Sequence, residues 1–325
     1  MSAGRRELGL GLQTDKRPGA YAVLARMAEQ GGFAVVTTFN DLWYQPALPA
    51  LLEIAHATER VRIGPSCLNP FTVHPVELAG QTAALDLASG GRAFLGLAAG
   101  AWLGALGIEQ ARTVTTIAEA WEIVCRLLAG DRSGFAGEVF RLEPGSALAY
   151  APERASVPLL VGTWSPQLTA FAAARADELK LGGTANPAMV RLARERLGPS
   201  EVGIVTGAVT VVDDDGERAR AHARRRVAMY LDVVAERDPT VELDPELLEA
   251  LGTRVSAGDV DGAARLISDE TLDLFAFAGT PGHVAERAEA LFAAGALRVE
   301  FGSPHGVDER SGVDLLARNV VPRLV

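Results

Sequence analysis

Residues 61–100 read VRIGPSCLNPFTVHPVELAGQTAALDLASGGRAFLGLAAG, and the reading of the fold starts from them. Two short apolar runs, 61–65 and 92–98, have the composition of buried strands. Between them Pro75 suits a first helical position, and Val76, Ala79, Ala83, Ala84 and Leu87 recur at helical spacing. Gly90 and Gly91 end that helix. Strand, helix and strand in this order make a βαβ unit, which is right-handed and belongs to a parallel sheet. The chain leaves the two strands through residues 64–70 (GPSCLNP) and 98–102 (AAGAW). Both exits lie at the carboxyl ends of parallel strands, where such sheets bind ligands.

The same alternation continues on either side. Strands are expected at 8–12, 33–38, 157–161, 178–181, 202–212 and 297–302, with helices between them. An amphipathic helix is expected at 113–128, a small hairpin at 133–142, and a long helix at 217–236 capped by the acidic run 213–215. Residues 238–270 are helical but broken at Pro239, Pro245, Gly252 and Gly258, and read as a helical insertion. No linker or compositional shift divides the chain. The expected class is therefore α/β: a single (β/α)8 barrel domain spanning 1–325, longer than the usual ~250 residues because of insertions. A doubly wound open sheet is the alternative.

Composition narrows the function. The net charge of −10 argues against a nucleic-acid partner or an acidic membrane surface, both of which call for a basic face. No apolar run of about 18 residues is present, and the first residues lack the apolar core of a secretory signal, so a cytoplasmic protein is expected. Its two cysteines, Cys67 and Cys125, are then expected to stay reduced. The five histidines show no metal-ligand spacing, so no metal site is expected. No P-loop or nucleophile elbow occurs, and Thr14 breaks the dinucleotide fingerprint that Gly9 and Gly11 would begin.

Two loops carry possible chemistry. Gly162, Thr163, Trp164 and Ser165, followed by Pro166, join a strand to a helix. That loop is either an anion cradle of N–H groups and hydroxyls or an ordinary cap by Ser165. Ser66, Cys67, Leu68 and Asn69 before Pro70 make a strand exit in which Asn69 suits a turn. Trp43 and Trp102, among Gly and Asn in strand-exit loops, suit pocket walls.

These stretches resemble the bacterial-luciferase-like superfamily, nearest its deazaflavin-dependent branch with the methylenetetrahydromethanopterin reductases. The similarity is carried by Ile63-Gly64-Pro65, Asn69-Pro70, the signature Asp86-x-x-Ser89-Gly90-Gly91-Arg92, residues 105–109 (ALGIE), 278–281 (AGTP) and 302–304 (GSP). It covers nearly the whole chain. The resemblance implies a (β/α)8 barrel with a ring cofactor across its carboxyl end, a non-prolyl cis peptide at Ser66–Cys67 behind that ring, and the cofactor phosphate on Gly162, Thr163, Trp164 and Ser165. It also implies a homodimer formed through the second and third helices. The acidic and Asp-His positions of the reductases fall on Gly11, Thr38, Phe39 and Ala101, so the pterin is not the expected substrate.

The resulting expectation is a coenzyme F420-dependent oxidoreductase acting on a small organic molecule. Ser66, Cys67, Leu68, Asn69 and Trp102 would contact the ring or wall its pocket. Thr38, Asn40 and Asp41 would face the reacting substrate. The alternatives are an FMN-dependent monooxygenase fed by a separate reductase, and a non-catalytic flavin-binding protein.

Overall fold

The computed structural model describes residues 6–325. β1 (Glu7–Leu12), α1 (Ala20–Gln30), β2 (Val35–Thr38), α2 (Ala47–Ala57), β3 (Arg62–Pro65), α3 (Pro75–Ser89), β4 (Leu95–Ala98) and α4 (Thr113–Ala129) alternate from the start. The hairpin β5 (Phe135–Ala136) and β6 (Arg141–Leu142) is antiparallel. Then come β7 (Leu159–Gly162), α5 (Pro166–Arg175), β8 (Glu178–Gly182), α6 (Pro187–Leu197) and β9 (Gly203–Val212). Five helices follow: α7 (Gly216–Ala228), α8 (Leu231–Ala235), α9 (Pro245–Ser256), α10 (Val260–Ala264) and α11 (Asp269–Phe275). β10 (Ala276–Gly279), α12 (Pro281–Ala293), β11 (Arg298–His305) and α13 (Glu309–Leu315) complete the order.

Eight parallel strands form the wall in the order β3-β2-β1-β11-β9-β8-β7-β4. The ends of that series meet through bridges at Ile63–Ala93 and Leu68–Leu97, which close the barrel. The alternative of an open sheet is thereby removed. One expectation needs revision: beyond the eight strands expected, a ninth parallel strand, β10, follows α11. This strand pairs with β9 from Val209 to Val212, beyond the part of β9 that pairs with β8. A satellite core lies there, with Val211, Ala223, Val227, Leu272 and Phe275 among its buried members. The long helix expected at 217–236 is interrupted at Met229 and Tyr230; the Tyr230 hydroxyl donates to the Phe275 carbonyl at 2.9 Å.

Strand parity explains the wall. Leu8, Leu10 and Leu12 belong to the large core that also holds helix residues such as Leu24, Ile54 and Leu78. The intervening residues face the lumen. There Val35, Phe94, Leu160 and Val205 form a separate apolar layer. Around it lie charges in pairs: Arg62 bonds Glu7 and Glu178, Arg298 bonds Glu178 at 2.6 Å, and Lys180 pairs with Glu300. Glycine appears where backbones meet. A Cβ on Gly96 would land on the Pro65 carbonyl oxygen, and one on Gly162 would come 2.9 Å from the Cys67 sulfur.

The signature 86–92 is a joint between helix and strand. Asp86, 1% exposed, receives Arg154 at 2.6 and 2.9 Å and the Ala93 N–H at 3.1 Å. The Ser89 hydroxyl donates to the Asp86 carbonyl, and Gly90 adopts φ 63° as the helix ends. The Arg92 guanidinium then donates to the carbonyls of Ala55, Thr58 and Val61 at the far end of α2. Those carbonyls are ones a helix end leaves without partners, or lie just beyond it. The signature thus fixes where β4 enters the barrel.

Candidate functional site

The carboxyl ends of the strands open into a cavity of about 1550 Å³. Its lining brings together Asn40, Asp41, Ser66, Cys67, Asn69, Trp102, Gly162, Thr163, Trp164 and Ser165, all singled out in the sequence. Thr38 and Leu68 are not among the lining residues. Thr38 is fully buried and has the parity of the outward-facing Val36, whereas Thr37 and Phe39 have the inward parity. Its carbonyl accepts the Ser66 N–H at 2.8 Å within the wall, and its side chain lies on the outer face. Leu68 is likewise packed into the outer core.

The Ser66–Cys67 peptide is cis, and so is Ser303–Pro304. Asn69 turns the chain just beyond: its Oδ1 accepts N–H groups of Phe71 at 3.1 Å and Thr72 at 2.9 Å. This is an Asx turn, as the sequence suggested. Asn40 Oδ1 accepts the Ala47 N–H at the start of α2, and Asp41 accepts from Gln13 Nε2 at 2.9 Å. Both side chains are therefore held rather than free to swing. Trp43 and Trp102 stand on the exits of β2 and β4, either side of β3, with φ 72° and 57°, and are 79% and 50% exposed. Large apolar side chains held this far into water at a cavity mouth are available to cover a ligand.

On the far side, Thr163 Oγ1 accepts the Ser165 N–H, and Ser165 Oγ accepts the Leu168 N–H. Ser165 thus caps α5, as one of the two readings required. The other reading is compatible with it, because Gln167 in the first turn of α5 also lines the cavity. The helix start, with its N–H groups and positive dipole end, faces the space. A Cβ on Gly182, another lining residue, would meet no atom within 4 Å, so the bare backbone there leaves room for a ligand.

The floor holds residues that sequence reading missed. Lys180 Nζ donates to Ser66 Oγ at 2.6 Å and pairs with Glu300, while lying 5.4 Å from the Phe39 ring centroid. Burial opposes ionisation of Glu300, but the charges of Lys180 and Arg298, with the hydrogen bond from Lys180, outweigh it and hold the carboxyl below its ordinary pKa. Burial pushes the Cys67 thiol up to about 11; the Lys180 charge opposes that rise and Glu300 adds to it. Cys67 is therefore a neutral thiol near pH 7. Among the described residues no group of His, Cys, Asp and Glu is arranged to hold a metal ion.

A parallel barrel with a deep cavity at its carboxyl end, floored by a cis strand exit, defines a class. A sequence profile of the luciferase-like monooxygenase family matches residues 2–298, and the chain belongs to that family. It is similar to a 5,10-methylenetetrahydromethanopterin reductase from Archaeoglobus fulgidus, 30% identical over 319 residues, with 92% of this chain and 94% of the relative covered. It is also similar to an F420-dependent glucose-6-phosphate dehydrogenase from Nakamurella multipartita, 27% identical over 331 residues, with 94% and 93% covered. In three dimensions it matches the coenzyme F420-dependent tetrahydromethanopterin reductase from Methanopyrus kandleri with a TM-score of 0.90 at 25% identity, covering 99% of this chain and 100% of that one.

Proposed function

We propose that the protein is an oxidoreductase that uses coenzyme F420 for hydride transfer to or from a small organic compound. The observation that carries this reading is the large cavity bounded by the Ser66–Cys67 exit, the capped start of α5 and the exposed Trp102, in a chain whose full-length relatives are named as F420-dependent enzymes or as reductases of one pterin. The residues fit such a group. Gly182 leaves an open face of backbone, and the start of α5 suits a phosphate. Gly162, Thr163, Trp164 and Ser165 would hold that phosphate. Ser66, Cys67 and Asn69 would support the ring from below, with Trp102 as a wall. Asn40 and Asp41 remain for the substrate side.

When bound, the coenzyme supplies the two-electron chemistry. The protein's part is to bind, orient and exclude water. Leu42, Trp43 and Trp102 give the mouth an apolar lining that excludes solvent around a ligand. The cytoplasm is the compartment that suits this reading and its two thiols. A homodimer joined through α2 and α3 is part of the same reading, and sedimentation at the mass of one chain would overturn that part.

Fluorescence titration of the purified protein with F420 and with FMN tests the cofactor. Saturable binding of F420 without binding of FMN is expected. Binding of FMN alone would replace the proposal with a flavin-dependent reaction, and binding of neither would remove ring chemistry altogether.

A further inference from the structure

Lys180 and Glu300 belong to no motif in the chain, yet they meet under the cavity floor on neighbouring sides of β9. Lys180 is 6% exposed and Glu300 1%. Taking two charges out of water is costly, and such a pair persists only when each has its partners. Lys180 has Glu300 and Ser66. Glu300 has Lys180, with Arg298 Nε at 3.9 Å, and its Oε2 is buried without a hydrogen bond. The ammonium is thus anchored on one side and directed at Ser66 on the other.

That arrangement settles which way the Ser66 hydroxyl points. An ammonium donates three hydrogen bonds and accepts none. With Lys180 Nζ at 2.6 Å, Ser66 Oγ must be the acceptor in that contact. The hydroxyl proton is left to go elsewhere. Its neighbours are the Cys67 sulfur, which is a weak acceptor, and the cavity that Ser66 lines. A ligand oxygen or nitrogen placed over Ser66 would win that proton from the sulfur.

We propose that Ser66 is a hydrogen-bond donor to the bound ring, oriented and polarised by the ammonium of Lys180, which Glu300 holds in place. The ligand atom over Ser66 is then an acceptor, an oxygen or an unprotonated nitrogen carrying negative charge. Lys180 and Glu300 act through Ser66 and are positioning residues. The inference rests on the ring-binding reading above, and it adds a polarity to the floor that the family likeness does not supply.

The test is a mutant cycle read by F420 binding. Lys180→Met alone would leave a buried carboxylate unpaired and risks misfolding, so it is combined with Glu300→Gln to keep the floor neutral. Ser66→Ala is expected to weaken F420 binding about tenfold or more, as loss of a charge-assisted hydrogen bond does. Lys180→Met/Glu300→Gln is expected to weaken it comparably. The triple variant should bind no worse than the weaker of the two, because all three residues serve one contact. A second reading is the pH at which the bound chromophore ionises, followed by absorbance. Ser66→Ala, which removes the donated hydrogen bond and leaves both charges in place, should raise it by about one pH unit, a change that a purely structural role would not produce. Additive losses, or an unmoved ionisation in a variant that binds, would overturn the inference alone. A wild-type protein that binds no F420 would overturn the functional reading and this inference with it.

Discussion

At Cys67 two large effects oppose each other and burial wins. The sulfur sits beside a lysine, which in an open site would make a reactive thiolate. Here the enclosed setting and the compensating Glu300 push the thiol up to about 11. Cys125 on α4 is also pushed up to about 11, by burial first and then by Glu122. Nucleophilic attack needs the thiolate, so at pH 8 both should react with iodoacetamide about 100-fold more slowly than an unperturbed thiol. Labelling followed by peptide mass analysis, with the urea-unfolded chain as reference, measures this. Rapid labelling of Cys67 in the folded protein would show that the Lys180 charge dominates instead.

The helices and strands show which parts of the site could be read from sequence. The βαβ unit at 61–100 was legible because Pro75, Gly90 and Gly91 mark its helix and two apolar runs flank it. The loops at 66–69 and 162–165 were legible as strand exits, since polar and turn residues follow apolar runs. Thr38 was placed one residue out of phase because apolar content alone does not tell which parity faces a lumen; Thr37 takes the inward position. Lys180 and Glu300 were missed although a signal existed. β1, β8 and β11 begin ELGLG, ELKLG and RVEFG, with charge or glycine at every second residue and apolar groups between. A barrel strand with an outer face against helices and an inner face of charges and glycines reads in this way. The 86–92 signature, which carried much of the family likeness, proves to be a mechanical joint. Asp86→Ala should therefore lower stability by about 3 kcal/mol, since Arg154 and the Ala93 N–H lose their acceptor. The chemical-denaturation midpoint should fall with an unchanged slope, while the folded fraction keeps its ligand affinity. A lost affinity at unchanged stability would instead place Asp86 in the site.

For the whole molecule, the barrel lumen is a balanced column of charge: Glu7, Glu178 and Glu300 against Arg62, Arg298 and Lys180. The chain's overall excess of acid is thus kept away from the lumen. Because Glu300 is held below the ordinary glutamate value of 4.5, its ionised form favours the folded state. That contribution is fully present above about pH 4.5 and is lost as the pH falls through the lower folded value. Thermal unfolding followed from pH 7 to pH 3 should show a steeper loss of Tm in the wild-type protein than in Lys180→Met/Glu300→Gln, and parallel curves would show that other carboxylates govern the acid response. One edge of the column differs from the rest. Between β3 and β4 the wall is joined by bridges at Ile63–Ala93 and Leu68–Leu97 rather than by a continuous ladder, and Ser66 and Cys67 lie inside that gap. The cylinder therefore has a zip, and the hydroxyl that would greet a ligand is mounted on its teeth. Any breathing of the wall there carries Ser66 relative to the lysine rooted in the opposite wall.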